Sequence, residues 1–276
     1  MNDIKEENLI AKNFLSDVQP IWCRGCGHYF VLRALTQALA WLKIPNEQIG
    51  LMTGIGCSSR ISAYVDAYGF HGVHGRALAL GAGLKAARPD MHVIVAGGDG
   101  DGYSIGGNHF LHACRRNMDI TYIVMDNEVY GMTKGQPSPT TEPDWQSKLA
   151  PEGTGIRRFN PLGIALASGA SFIARGFAGD QKGVSKLIVE AIEHKGFSLV
   201  EIKSPCVTFR PEEKEWHKTM HKMNIEPTAD VLEAAQKIHG NDGLDTGIFY
   251  QAELTVLQTD FTEEKSIVDF EKEFEV

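Results

Sequence analysis

The sequence predicts an α/β protein built on a doubly wound parallel sheet with a C-terminal arm, and three observations carry that reading. Runs that are apolar along their whole length, as strands buried on both faces are, alternate with helical patterns. Several of these runs end in turns rich in glycine or Asp and Asn (TGIGC, GGDGDG, MDN), where ligands bind sheets of this kind. The 276 residues are 43% hydrophobic and 22% charged, ordinary globular composition for a chain able to bury a substantial core.

Taken in order, residues 1–17 (MNDIKEENLIAKNFLSD) form an acidic N-terminal extension without the apolar run of a signal peptide. After Cys26, HYFVLRALTQALAWLKI reads as a helix apolar almost all round and therefore buried. IGLMTGIGC is a strand entering a glycine loop. GRALALGAGLKAARP is a helix whose small residues allow close packing. MHVIVAGGDGDG is the next strand and turn, a helix runs through Asn108 to Arg116, and ITYIVMDN is a further strand. A Pro-, Thr- and Gly-rich loop from Gly135 to Gly155 interrupts the alternation, and loops of that length are usually functional. The pattern resumes with PLGIALASGASFIARG, a helix at Asp180 to His194 and the strand FSLVEIK, which runs into Cys206. Residues 18–206 are thus one domain. From 207 to 276 the composition turns charged and aromatic, with one helix from Ala229 to His239, and this segment reads as an arm or docking segment.

A net charge of −8 argues against nucleic acid or an anionic membrane as partner. No segment approaches the roughly 20 apolar residues of a membrane-spanning helix. The expectation is a cytoplasmic catalytic domain. Five cysteines without a secretory signal point to metal or redox chemistry rather than a disulfide framework.

Asp99 and Asn127 end two successive strand patterns, so a parallel sheet brings them close together. Magnesium takes octahedral oxygen coordination and commonly keeps substrate phosphates among its ligands. One carboxylate, one amide oxygen, a loop carbonyl and two diphosphate oxygens meet that demand. The glycines flanking Asp99 let the backbone approach phosphate closely. GDGDG can also be a tight turn or a calcium loop, but Tyr103 occupies the third ligand position of the latter and no glutamate closes it.

Four cysteines cluster around this loop in the strand order: Cys23 and Cys26 in WCRGCGH, Cys57 in GIGCSS and Cys206 in SPCVTF. Four thiolates suit one tetrahedral zinc or one four-iron cluster. Zinc sites of this kind usually show two C-x2-C knuckles, whereas here one knuckle joins two isolated cysteines. Cys114 falls inside a helix and reads as a packed thiol. His217 and His221 have metal-pair spacing but no third ligand, and read as a solvated helix face.

GDG followed 28 residues after its aspartate by Asn is similar to the thiamine diphosphate fingerprint. Together with DNEVYGMTKGQPSPTT, WCRGCGH, GIGCSS, HGVHGRALALGAGLK, GDGDGYSIGGNH and SPCVTF, it resembles the beta subunits of 2-oxoacid:ferredoxin oxidoreductases, in the same order over about residues 18 to 210. The resemblance implies the diphosphate half of the thiamine diphosphate-binding fold. Magnesium would be held by Asp99, Asn127 and the Val129 carbonyl. Thiamine diphosphate would be lined by Ile55, Gly56, Cys57, Ser58, His74, Gly98, Gly100, Asp101, Gly131, Met132 and Thr133. One [4Fe-4S] cluster would be ligated by Cys23, Cys26, Cys57 and Cys206. Arg24 departs from the pattern, in which proline usually separates the first two cysteines; a cation there stabilises a reduced cluster.

The implied reaction is oxidative decarboxylation of a 2-oxoacid with coenzyme A to an acyl-CoA and carbon dioxide. Electrons would pass through the cluster to ferredoxin, and the reverse carboxylation stays open. Lys134 follows the expected cofactor contacts, where its ammonium could meet a second substrate carboxylate, and similar subunits with lysine here prefer 2-oxoglutarate; pyruvate and branched-chain 2-oxoacids are the alternatives. Nothing in the chain resembles a second domain that would hold the aminopyrimidine and supply its activating glutamate. An alpha subunit carrying that half is therefore implied, in a heterodimer or dimer of heterodimers. A non-oxidative thiamine diphosphate decarboxylase or synthase would share the GDG loop but not the thiols, and a zinc-binding scaffold the thiols but not the loop.

Overall fold

The computed structural model describes residues 9–240 and 242–257. Its centre is one eight-stranded sheet in the order β2-β1-β3-β4-β8-β7-β10-β9. The elements run α1 (His28–Leu42), β1 (Ile49–Thr53), β2 (Tyr68–His71), α2 (Ala77–Ala87), β3 (His92–Gly98), α3 (Gly107–Arg116), β4 (Ile120–Asp126) and a short hairpin, β5 (Val129–Tyr130) with β6 (Gln136–Pro137). Then follow α4 (Pro161–Ala167), β7 (Phe172–Phe177), α5 (Gln181–Glu193), β8 (Phe197–Lys203), α6 (Trp216–Thr219), β9 (His221–Ile225), α7 (Val231–His239) and β10 (Asp245–Gln251).

Six strands, β2, β1, β3, β4, β8 and β7, are parallel throughout. Continuous apolar strands require cover on both faces, and both are covered. Ile94, Ile123, Met125 and Val200 point into a core built with α1 and α5. Val95, Tyr122, Val124 and Leu199 point into the opposite core, built with α2, α3, α4 and α7. Crossover connections put the C-terminal ends of these six strands on one side of the sheet, and that edge carries the functional loops.

The sheet continues past residue 206. β10 joins β7 antiparallel, and β9 pairs parallel with β10, so two strands of the expected arm extend the sheet. Residues 1–8 of the extension and 258–276 of the arm lie outside the described residues. His217 and His221 do not share a helix. His217 lies in α6 with its ring edge-on to Phe177, and His221 opens β9, 2.7 Å from Asp245. The helix after GDGDG is preceded by a π-helical turn, Gly100–Ile105.

Candidate active site

β3 and β4 are neighbours with Gly98 opposite Met125, which sets Asp99 and Asn127 side by side just beyond the strand ends. Both are buried. The Asn127 side-chain oxygen stands 3.2 Å from Asp99 Oδ1 and 2.8 Å from the Val129 carbonyl oxygen. Three oxygens turned on one another repel. Rotating the amide would let its nitrogen donate to both neighbours, and a small cation among the three would relieve the repulsion with the amide as it stands. This donor set, one carboxylate, one amide oxygen and one carbonyl, is suited to a hard divalent ion.

Behind Asp99 lies Asp126, and the Thr140 hydroxyl sits between them, 2.8 Å from Asp99 Oδ2 and 2.7 Å from Asp126 Oδ1. Burial and then the neighbouring Asp126 charge push the Asp99 carboxyl up to about 8. Against the upward push of burial, the Lys203 ammonium, 2.6 Å away, holds Asp126 down at about 2. The two acids are therefore driven to opposite protonation states, and the one facing the three-oxygen cluster bears the exchangeable proton.

Glycine clears the floor in front of these oxygens. A Cβ on Gly100 would enter the Tyr130 ring, and one on Gly98 would come 2.8 Å from Ser58 Oγ. Asp101 acts as a buckle. Its Oδ1 accepts from Ile55 N at 2.9 Å and Gly75 N at 2.7 Å and bonds His74 Nδ1 at 2.8 Å, tying the loop after β1 and the loop after β2 to the π-turn. Together these segments enclose a cavity of about 280 Å3. Its lining contains Ile55, Gly56, Cys57, Ser58 and His74 from one side, Gly98, Asp99, Gly100 and Asp101 from the floor, and Asn127, Val129, Gly131, Met132 and Thr133 from the other. Lys134 is exposed on the turn beyond Thr133, at a φ of 87°, and is not in that lining.

Cys23, Cys26, Cys57 and Cys206 line a second cavity of about 200 Å3. The two cavities share His28, Cys57, Asn127, Gly131 and Met132. Gly131 is the partition, since a Cβ there would lie 3.7 Å from Cys57 Sγ and 3.9 Å from Cys206 Sγ. Gly25 turns the knuckle at a φ of 86°, a conformation that favours glycine. Burial, with smaller contributions from the other thiols, pushes Cys26 up to about 12, and burial also raises Cys57 and Cys206. Such thiols stay protonated at neutral pH unless a positive centre displaces their protons; burial raises the packed Cys114 in the same way, so it is the shared cavity that sets the four apart. Among the described residues no group of three or more His, Cys, Asp or Glu forms a ready site for a single metal ion. Cys114 is fully buried in α3 and lines neither cavity.

Sequence reasoning assigned no role to several residues that complete the site. His28 lines both cavities, with Nδ1 2.8 Å from Ser204 Oγ, and burial holds it down at about 4, a neutral imidazole. Its place two residues after Cys26 was the available signal. Tyr130 covers Gly100, and its hydroxyl donates to the Gly100 carbonyl at 3.3 Å. Thr140 and Lys203 reach Asp126 from 14 and 77 residues away, and Glu128, next to Asn127, pairs with Lys203. A larger cavity of about 560 Å3 lies on the Lys203 side, but Lys203, Glu128, Arg158 and Arg175 on its wall are already ion-paired. It has neither thiols nor a glycine floor.

Comparison with known proteins places the same segments in a recognised context. Residues 54–202 match the thiamine pyrophosphate enzyme family, C-terminal TPP binding domain. The chain is 40% identical over 250 residues to the 2-oxoacid:ferredoxin oxidoreductase subunit beta of a Sulfolobus species, covering 84% of this chain and 82% of that one. It is 44% identical over 199 residues to the 2-oxoglutarate oxidoreductase subunit KorB of Mycobacterium tuberculosis, covering 72% of this chain but only 53% of the relative. A solved 2-oxoglutarate:ferredoxin oxidoreductase from Magnetococcus marinus, with 2-oxoglutarate, coenzyme A and succinyl-CoA bound, superposes with a TM-score of 0.86 at 40% identity. That match covers 92% of this chain and 88% of the other.

Proposed function

Because this chain belongs to the beta subunits of the 2-oxoacid:ferredoxin oxidoreductases, we propose that it is the diphosphate-binding half of an enzyme converting 2-oxoglutarate and coenzyme A to succinyl-CoA, carbon dioxide, a proton and two electrons. The observation that carries the proposal is the convergence of the Asp99 carboxyl, the Asn127 amide and the Val129 carbonyl over a glycine floor, with four thiols across the Gly131 partition. Thiamine diphosphate supplies a carbanion for addition to the keto carbon and an electron sink, and a [4Fe-4S] cluster takes electrons one at a time.

In this reading Asp99, Asn127 and the Val129 carbonyl hold Mg2+ against the diphosphate. Gly98 and Gly100 admit the phosphates, and Asp101 keeps Ile55 and His74 at the cavity wall. Cys23, Cys26, Cys57 and Cys206 hold the cluster. Four thiols around one cavity, joined by one C-x2-C knuckle rather than two, favour a polynuclear centre over zinc. Lys134, next in the chain to the lining Thr133, is the residue of this segment able to meet a distal substrate carboxylate by a charge-assisted bond. The aminopyrimidine-binding half comes from an alpha subunit, in a heterodimer or dimer of heterodimers, and ferredoxin accepts the electrons in the cytoplasm. Among the described residues no helix is long and apolar enough to cross a membrane.

The test is paired. Cys206→Ser should lose iron and visible absorbance while Cys114→Ser keeps both, and Asp99→Ala should lose magnesium-dependent thiamine diphosphate binding in calorimetry. Zinc in place of iron in the anaerobically purified complex would sink the redox reading. Wild-type thiamine diphosphate affinity in Asp99→Ala would sink the metal assignment.

A further inference from the structure

His28 stands at the junction of the two cavities with one ring nitrogen still to be satisfied. It is the first residue of α1, only 1% exposed, and it lines both the cavity over the glycine floor and the thiol cavity. Its ring is fixed from two sides. Nδ1 lies 2.8 Å from Ser204 Oγ, and the Trp22 ring packs edge-on against it with centroids 5.6 Å apart. Trp22 is held in turn, since its Nε1 donates to the Cys57 carbonyl at 2.6 Å. Gly27 makes the Ser204 contact possible: a Cβ there would come 2.6 Å from Ser204 Oγ and 2.7 Å from the Pro205 nitrogen, so a larger residue would force the start of α1 away.

The Ser204 contact decides where the ring proton sits. Ser204 is fully buried, and among the described residues its hydroxyl has one hydrogen-bond partner, His28 Nδ1. A buried hydroxyl proton needs an acceptor. Nδ1 is therefore that acceptor, and the imidazole carries its own proton on Nε2. Nε2 has no partner among the described residues. Unlike Ser59 Oγ or Tyr103 Oη, which are enclosed and unpartnered, it keeps access to the cavity space. Sulfur is the acceptor at this junction. Cys57 lines both cavities as His28 does. Burial raises the Cys26 thiol, and a hydrogen bond from the His28 backbone N–H opposes it. Asn127 shares the junction, but its amide is turned to Asp99 and the Val129 carbonyl.

We propose that His28 Nε2–H donates a hydrogen bond to a sulfur of the iron–sulfur centre, on its side toward thiamine diphosphate, and thereby raises the reduction potential of that centre. The inference rests on the reading of the four thiols as a redox centre. Hydrogen bonds to sulfur help set the potential of such a centre, and a donor favours the more negative, reduced form. His28 thus makes the centre a better acceptor for electrons released in the adjoining cavity. Ser204 acts through His28, by selecting the tautomer that presents the donor.

The experiment is a redox titration of the anaerobically purified complex with its alpha subunit, followed by electron paramagnetic resonance without substrate, so that it reads the centre and not turnover. His28→Asn keeps a polar atom within reach of Ser204 but loses the Nε2 donor, and should make the centre about tenfold harder to reduce, a fall of about 59 mV for one electron. His28→Gln keeps an N–H at the reach of Nε2 and should stay within about twofold of wild type. A wild-type potential in His28→Asn at full iron content would overturn the proposal. Equal falls in both variants would also overturn it, because a merely structural role of the ring predicts them. A second measurement needs no variant to assemble. His28 is the one histidine lining the thiol cavity, so wild-type protein labelled with 15N-histidine should show a 15N hyperfine coupling to the reduced centre, and its absence would reject the donor. A wild-type complex without iron would instead overturn the redox reading.

Discussion

Thr140 has a single hydroxyl proton and two buried carboxylate oxygens in reach of it. Since Lys203 holds Asp126 ionised and burial raises Asp99, the metal-free chain is satisfied by one arrangement: Asp99 donates to Thr140, and Thr140 donates to Asp126. A cation facing Asp99 Oδ1 takes the place of that proton, and Thr140 then keeps Oδ2 anchored. Removing the hydroxyl leaves a buried carboxylate oxygen short of a partner, at about 1–3 kcal/mol. Thr140→Val should therefore weaken magnesium-dependent thiamine diphosphate binding by about tenfold to a hundredfold, with Thr140→Ser close to wild type. Titration calorimetry at fixed magnesium decides it; equal affinities for the valine and serine variants would remove Thr140 from the site. Thr140 was not legible in the sequence because its partners are 41 and 14 residues away, across a loop whose composition announces function but not contacts. Asp99 and Asn127 were legible, because each follows immediately on a strand pattern.

Elements meet at a second node, away from the thiols and the glycine floor. Asn117 ends α3 in the left-handed region at a φ of 47°, and its Oδ1 accepts from Ser171 Oγ at 2.7 Å and from Phe197 N at 2.8 Å. Ser171 has thus committed its proton, so His194, at the end of α5, donates through Nε2 to Ser171 Oγ at 2.7 Å. The node ties α3, the entry to β7, the end of α5 and the start of β8 together. Burial holds the His194 imidazole below its ordinary value. On acidification the unfolded chain then takes up a proton before the folded one does, so this stability is complete above the ordinary imidazole range and is lost as pH falls through it. Between about pH 7.5 and 5.5 the urea midpoint of the wild type should fall further than that of His194→Gln, which keeps a donor without the titration. Parallel loss in both proteins would show that the node does not sense pH. At this scale the buried strands were readable from continuous apolarity, but β2 was not, since all four of its residues are exposed and show no alternation.

For the whole molecule, the described residues build one wall of a cofactor site and leave its mouth edged by exposed Ile55 and Met132. The isolated chain should show no 2-oxoacid-dependent reduction of viologen, and coexpression with an alpha subunit should restore it; robust turnover by the chain alone would refute the two-subunit reading. The sequence by itself determined the parallel sheet, the GDG floor with its Asn127 partner, and the four thiols as one set. Each of these is written in short segments whose chemistry is local: a strand, the turn that ends it, a knuckle. The tertiary structure alone decided that β10 and β9 extend the sheet antiparallel to its main strands, that Gly131 and His28 divide two adjoining cavities, and that Lys203, Thr140 and Arg210 reach the buried carboxylates. The reason is that hydrophobic pattern reports which side of an element is buried, not what lies against it. Lys203 meets Asp126 across 77 residues of chain, and only the order of strands in the closed sheet makes them neighbours.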